Sequence, residues 1–135
     1  MCIRDSQGTY MDDGYGFHDF SGGTSAGSKY LYLQIPAGGS LRAVLEWDDP
    51  WSGSSNDYDL YLYDTADFNS PVAASTGWQK GGTSTPLEII SYQNTGSSTI
   101  EAEIDVSNGE AAARTLEVYL YPAGGTLLYL SLIHI

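Results

Sequence analysis

The side chains best suited to chemistry lie in one acidic stretch near the middle of the chain. Calcium is bound by about six to eight oxygens, mostly from carboxylates and carbonyls, in a flexible geometry. Carboxylates that are crowded together without a cation repel one another. We therefore predict a calcium ion as a cofactor, held by five residues of this stretch: Asp48, Asp49, Asn56, Asp57 and Asp59.

A second interpretation of the acidic stretch stays open. The spacing is not that of an EF-hand. Aspartate and asparagine also cap turns, through side-chain hydrogen bonds to nearby backbone amides, and such residues remain in water.

Four tyrosines form a second candidate site. They fall on the polar side of alternating segments, so we expect their rings to face outward. Exposed aromatic rings stack on sugars or hold extended peptides. The alternative is that tyrosine simply favours strands. The predicted binding residues are Tyr61, Tyr63, Tyr119 and Tyr121.

No catalytic site is predicted. The segment 23–27 matches the G-x-S-x-G pattern of a nucleophile elbow around Ser25, but that motif needs a helix after the serine, and the following segment alternates like a strand. A triad there would have to use His18, which we expect to be a packed residue rather than a metal ligand. The sequence has no Cys/His cluster for zinc.

Alternation of apolar and polar residues defines the elements that position these side chains. It predicts strands at 30–35, 40–47, 58–64, 71–75, 87–93, 99–106 and 114–121, with a further short strand at 17–20. No segment has helical periodicity. Since each strand has one apolar face, two sheets must cover each other. We predict an all-β fold of about eight strands, an antiparallel two-sheet sandwich of jelly-roll or immunoglobulin-like type.

Charge and composition restrict the partners. The 135 residues carry a net charge of −12, which disfavours nucleic acid because phosphates would be repelled. No apolar run is long enough to span a membrane. Abundant Gly, Ser, Asp and Tyr with few lysines are typical of extracellular bacterial domains, so we expect a secreted protein.

Both ends of the chain are predicted to be foreign to it. Residues 1–6 and 130–135 can be encoded by ATG TGT ATA AGA GAC AG and CTG TCT CTT ATA CAC AT, which are reverse complements and match a transposase mosaic end used in sequencing libraries. We therefore assign both as adapter-derived tails. Residues 7–129 are then a single domain, a metagenomic fragment of a larger protein.

The chain from about His18 to Tyr121 resembles the bacterial pre-peptidase C-terminal domain. The resemblance rests on WDDP at 47–50, on NDYDLYL at 56–62, and on the surrounding order FHDF, PAGGSLRAVLEW and PLEIISYQNTG. It implies a non-catalytic β-sandwich attached to a secreted subtilisin-like peptidase or metallopeptidase, whose catalytic domain would be its partner. Some members bind calcium or matrix polymers such as collagen. The resemblance thus implies an accessory role in stability, secretion or substrate tethering. The alternative is a carbohydrate-binding or adhesive module that recognises an extracellular protein or polysaccharide.

Overall fold

A computed structural model describes residues 3–18, 20, 30–77, 85–108 and 113–128 of the chain. These residues form nine strands and no helix. None of the described segments is therefore a helix able to cross a membrane. The strands are β1 Ile3–Thr9, β2 Leu31–Ile35, β3 Ser40–Trp47, β4 Tyr58–Asp64, β5 Ala73–Ser75, β6 Leu87–Gln93, β7 Ile100–Asn108, β8 Thr115–Ala123 and β9 Leu127–Leu128.

The strands make two antiparallel sheets, which confirms the predicted all-β sandwich. One sheet has the order β1-β8-β3-β6 and the other β5-β4-β7-β2-β9. From β2 onward the chain passes between the sheets at every connection except the β4–β5 hairpin. Of the two predicted types, this order is that of the jelly roll, in which two Greek keys interlock.

Alternate residues of the paired strands fill the space between the sheets. The strands β2 and β3 alternate between buried and more exposed positions along their whole length. The strands β4 and β8 do so until their last two or three residues. Each fully buried leucine or valine contributes on the order of 2 kcal/mol by leaving water. The wholly buried side chains include Leu33, Ile35, Leu45, Leu60, Leu62, Ile104, Val106, Val118 and Leu120.

Aromatic rings close the core at the end that carries the acidic stretch. Tyr58 is completely buried, and its ring centroid lies 5.2 Å from that of Trp47 and 5.4 Å from that of Tyr10. His18 packs edge-on against Phe20 at 4.6 Å. Its Nδ1 accepts a hydrogen bond of 3.1 Å from the Met11 amide. His18 is thus a buried, packed residue.

Three segments differ from the sequence prediction. Of the predicted strand at 17–20, residue 19 lies outside the described residues, and the two residues before it form only isolated bridges, His18 with Asp12 and Phe17 with Ser107. The strand β9 pairs with β2 and was not predicted. The strand β1 pairs with β8 through Ile3 and Arg4, two residues that we assign to an adapter-derived tail. Backbone pairing does not depend on where the residues come from, so the domain boundaries stay a prediction.

Candidate functional site

The acidic loop between β3 and β4 is organised around one buried carboxylate, that of Asp49, which is 6 % exposed. Its Oδ2 accepts hydrogen bonds from Trp47 Nε1 at 3.2 Å, Ser54 Oγ at 2.9 Å and the Asn56 amide at 3.1 Å. The Asn56 side-chain amide also donates to both oxygens of Asp49, at 2.9 and 3.0 Å. The loop therefore folds back so that several of its hydrogen-bond donors surround the Asp49 carboxylate.

The charge of Asp49 is balanced inside the protein. Arg114 Nε lies 3.0 Å from Asp49 Oδ1, as an ion pair rather than an aligned hydrogen bond. Burial by itself would raise the pKa of Asp49, but the hydrogen bonds from Ser54 and Asn56 and the charge of Arg114 outweigh it and lower the pKa. Both oxygens already have donors, so Asp49 gains little from a cation.

Two other predicted calcium ligands also make contacts of their own. Asp48 is exposed, and its Oδ1 accepts a hydrogen bond of 3.2 Å from the Thr115 amide at the start of β8. Asn56 directs its side-chain amide at Asp49. Of the three residues in this half of the stretch, only Asp49 accepts hydrogen bonds from loop amides as a turn cap would, whereas Asp48 bonds to a distant strand and Asn56 to a side chain.

The other half of the stretch contributes to a different carboxylate cluster, which consists of Asp57, Asp59 and Glu88. Each offers one oxygen, and these oxygens all lie within 4.8 Å of one another. Asp57 directly precedes β4 and Asp59 lies on it, whereas Glu88 comes from β6 in the opposite sheet. The strands β4 and β6 are in contact along this side of the sandwich. The carboxylate cluster thus joins the two sheets at their shared margin.

Two members of the carboxylate cluster are buried, and the third, Asp59, has one buried oxygen. Asp57 is 5 % exposed and Glu88 is 3 % exposed. Glu88 accepts a hydrogen bond from the Ser75 hydroxyl of β5. Asp59 Oδ1 is buried and has no hydrogen-bond partner among the described residues. Burial, followed by the charges of Asp57 and Glu88, raises the pKa of Asp59 to about 6.

Glu88 is the site residue that sequence reasoning missed. The sequence of β6 does indicate that Glu88 points inward. In the alternation of this strand it falls on the same side as the buried Ile90, and Ile89 and Ser91 fall on the exposed side. A carboxylate at an inward position is costly unless it is paired, hydrogen-bonded or bound to a cation. Its partners could not be identified because they are about 30 residues earlier in the chain.

The four predicted binding tyrosines do not share one face. Tyr61 and Tyr63 lie on the outer side of β4 in the five-stranded sheet, with ring centroids 6.0 Å apart. Tyr119 and Tyr121 lie on β8 in the four-stranded sheet, on the opposite side of the sandwich. Tyr121 borders a shallow hollow of about 380 Å³ together with Arg42 and Tyr92.

The Ser25 elbow lies outside the described residues. Its only candidate base outside the assigned tails, His18, is 4 % exposed and packed among aromatic rings. The described residues therefore support a packing role for His18.

Comparison with known proteins gives no family for this chain. No protein-family model matches it, and neither does any curated protein. Among solved structures, the P-domain of Macrobrachium rosenbergii nodavirus is similar with a TM-score of 0.34 and 7 % identity, over 96 % of this chain and 93 % of that one. Broad Bean Stain Virus is similar with a TM-score of 0.36 and 13 % identity, over 74 % of this chain and 61 % of that one.

Proposed function

We propose that this chain is a non-catalytic accessory module of an exported bacterial protein, held rigid by a calcium ion at the carboxylate cluster. The observation that carries the cation site is the convergence of Asp57, Asp59 and Glu88 from two sheets, with one buried oxygen of Asp59 to which none of the described residues donates. A divalent cation would offset the repulsion among these carboxylates. It would also connect β4 to β6, and so one sheet to the other.

Calcium suits this cluster better than a transition metal does. All the side-chain ligands are oxygens, with the Ser75 hydroxyl next to Glu88 as a further donor. Hard oxygen ligands favour calcium or magnesium over zinc or copper. Water would complete the coordination shell.

The cation site is tested by thermal unfolding and titration calorimetry in EDTA and in calcium. Calcium should raise the unfolding temperature of the unmodified chain and release or absorb heat on binding. Asp59→Asn should abolish both responses. The matched control is Asp48→Asn, which changes an exposed acid of the same loop and should leave them intact. If the unmodified chain gives no heat and no thermal shift, the proposed cation site is wrong.

The attachment to a peptidase comes from the sequence resemblance and has a separate test. The longer reading frame around this chain should encode a subtilisin-like or metallopeptidase catalytic domain. A frame without a hydrolase would remove the peptidase part of the proposal and leave the cation site unaffected.

The second candidate is a binding module for an extracellular polymer. It is favoured by a continuous row of rings on β4 and its neighbours, in which Phe17 and Tyr61 are 6.5 Å apart and Tyr63 and Phe68 are 5.6 Å apart. Aromatic faces of this kind bind both sugars and peptides.

A further inference from the structure

The outer face of the five-stranded sheet carries an aromatic row made of Phe17, Tyr61, Tyr63 and Phe68. Successive ring centroids are 6.5, 6.0 and 5.6 Å apart. Tyr61 and Tyr63 stack with an interplanar angle of 28°. Phe68 is 53 % exposed, and the other three rings are partly exposed. The aromatic row is therefore open to a partner along its length.

Two carboxylates lie beside the aromatic row on the next strand. On β7, Asp105 is directly across from Tyr61, and Glu103 is directly across from Tyr63. Glu103 is in turn across from Tyr32 of β2, so tyrosines flank it on both sides. Glu103 and Asp105 are each only 6 % exposed, although they are on the outer face of the sheet.

Asp105 is only partly satisfied by the protein around it, through a hydrogen bond shared with Glu103. Its Oδ1 is buried and has no hydrogen-bond partner among the described residues. Burial, contact with Glu103 and the charge of Asp13 raise the pKa of Asp105 above its usual range. An unpartnered carboxylate oxygen on a side chain that is more than nine-tenths buried favours the approach of a positive group.

The charges of the two faces differ. The outer face of the five-stranded sheet presents the acidic side chains Glu101, Glu103 and Asp105 of β7, and none of the described strand residues of this sheet is basic. On the other sheet, Arg42 lies exposed on β3. Arg114 is already paired with Asp49. The aromatic row therefore lies beside acidic side chains, and the described strands around it carry no basic residue.

We propose that this face binds an extended, basic segment of another polypeptide, whose lysine or arginine side chains lie over the aromatic row. Ammonium and guanidinium groups are attracted to aromatic faces, and neighbouring carboxylates strengthen that attraction. Side chains on the same side of an extended peptide repeat about every 6.7 Å, which is close to the ring spacing. The negative field disfavours an acidic polysaccharide and gives a neutral one no charge complementarity.

The proposal goes beyond the calcium site and involves different residues at its centre. Its test uses synthetic peptides in which arginine alternates with serine, compared with the same peptides carrying glutamine in place of arginine. Amide chemical-shift mapping should show the arginine peptide perturbing β4, β7 and β2, and titration calorimetry should give its affinity. The glutamine peptides and a neutral oligosaccharide should bind much more weakly.

Variants of the aromatic row separate ring contact from general charge attraction. Tyr63→Ala should weaken binding about two- to fivefold, and Tyr61→Ala combined with Tyr63→Ala about tenfold, as expected for one and two cation–π contacts. Tyr63→Phe, which keeps the ring, should bind within about twofold of the unmodified chain. Phe68→Ala is a second, loop-located probe in case the strand variants do not fold. Tyr121→Ala, which changes a tyrosine of the opposite sheet, should have no effect.

Several outcomes would overturn the proposal. They are an absence of binding by the arginine peptide, equal binding by the glutamine peptide or the oligosaccharide, and equal losses for Tyr121→Ala and Tyr63→Ala. Tighter binding of the oligosaccharide would assign the face to a carbohydrate instead. The calcium response of Tyr63→Ala should stay normal, so that failure here is distinguishable from failure of the cation site.

Discussion

The acidic stretch supplies two carboxylates, Asp49 and Asp59, with opposite electrostatic environments. Asp49 is surrounded by donors from Trp47, Ser54 and Asn56, and its pKa is lowered. Asp59 faces two other carboxylates, has one buried oxygen to which no described residue donates, and has a pKa raised to about 6. Asp49 is the less exposed of the two, yet its pKa is the one that is lowered. The difference shows that the atoms around a carboxylate, more than its burial, decide the direction of its pKa shift. Neighbouring donors stabilise the ionised form, whereas neighbouring carboxylates destabilise it unless a cation binds.

The largest expected effect concerns Asp49, the carboxylate that is surrounded by hydrogen-bond donors. Asp49→Ala leaves Trp47, Asn56 and Arg114 without their common acceptor, and should lower the free energy of unfolding by about 3 kcal/mol or more. Urea denaturation measures it. Asp48→Ala removes one exposed hydrogen bond and should cost less than about 1 kcal/mol. Equal losses for the two variants would contradict the central role of Asp49.

The next largest expected effect concerns Asp59, the carboxylate that lies among other carboxylates. At a calcium concentration about one hundred times the dissociation constant, binding to the folded form should add about 2.7 kcal/mol to the free energy of unfolding. In EDTA, Asp59→Asn should instead stabilise the fold on the order of 1 kcal/mol, because it removes an uncompensated buried charge. A variant that is less stable than the unmodified chain in EDTA would show that Asp59 is paired after all.

The pH dependence of the free energy of unfolding is a smaller expected effect. It too comes from a carboxylate whose pKa is raised. Because the pKa of Asp105 is raised in the folded state, the native protein holds this proton more tightly than the unfolded chain does. The resulting stability is fully present below the ordinary aspartate pKa of about 4 and declines as pH rises through the raised value.

Asp105→Asn should flatten this decline. Above neutral pH it should be more stable than the unmodified chain on the order of 1 kcal/mol. The groups that face Asp105 are Glu103, Asp13 and the tyrosines at positions 30 and 61. Asp49 behaves oppositely, since its lowered pKa makes stability fall on acidification below about 4. Unfolding temperatures measured from pH 3 to pH 9 check both signs. Asp59, with a pKa of about 6, also contributes to the decline up to about pH 6, so only a decline above that pH that persists in Asp105→Asn would assign the effect to another group.

The smallest effect concerns the support behind Asp49. Tyr58 accepts a hydrogen bond of 3.1 Å from the Arg114 amide, which helps to place Arg114 beside Asp49. Tyr58→Phe should lower the free energy of unfolding by about 1 kcal/mol. Tyr92→Phe, a half-buried tyrosine of the other sheet, is the control and should change it little.

Much of the fold could be predicted from the sequence, and less of the site. The strands from β2 to β8 follow the alternation of apolar residues, because burial against a second sheet imposes a period of two. The set of residues that forms the candidate site could not be predicted in the same way. Asp57 and Asp59 are among the predicted ligands, but Glu88 is not, since β6 meets β4 only through the packing of the two sheets. The order of the strands, which could not be predicted either, places Tyr61 and Tyr119 in different sheets, on opposite faces of the sandwich.

The sequence by itself determined which side chains point inward and that an acidic loop would follow β3, since both depend on residues close together in the chain. Only the tertiary structure decided that Arg114 would join the local donors around Asp49 and that Glu88 would join Asp57 and Asp59. Arg114 and Glu88 reach those positions through long-range strand packing, which local patterns do not encode.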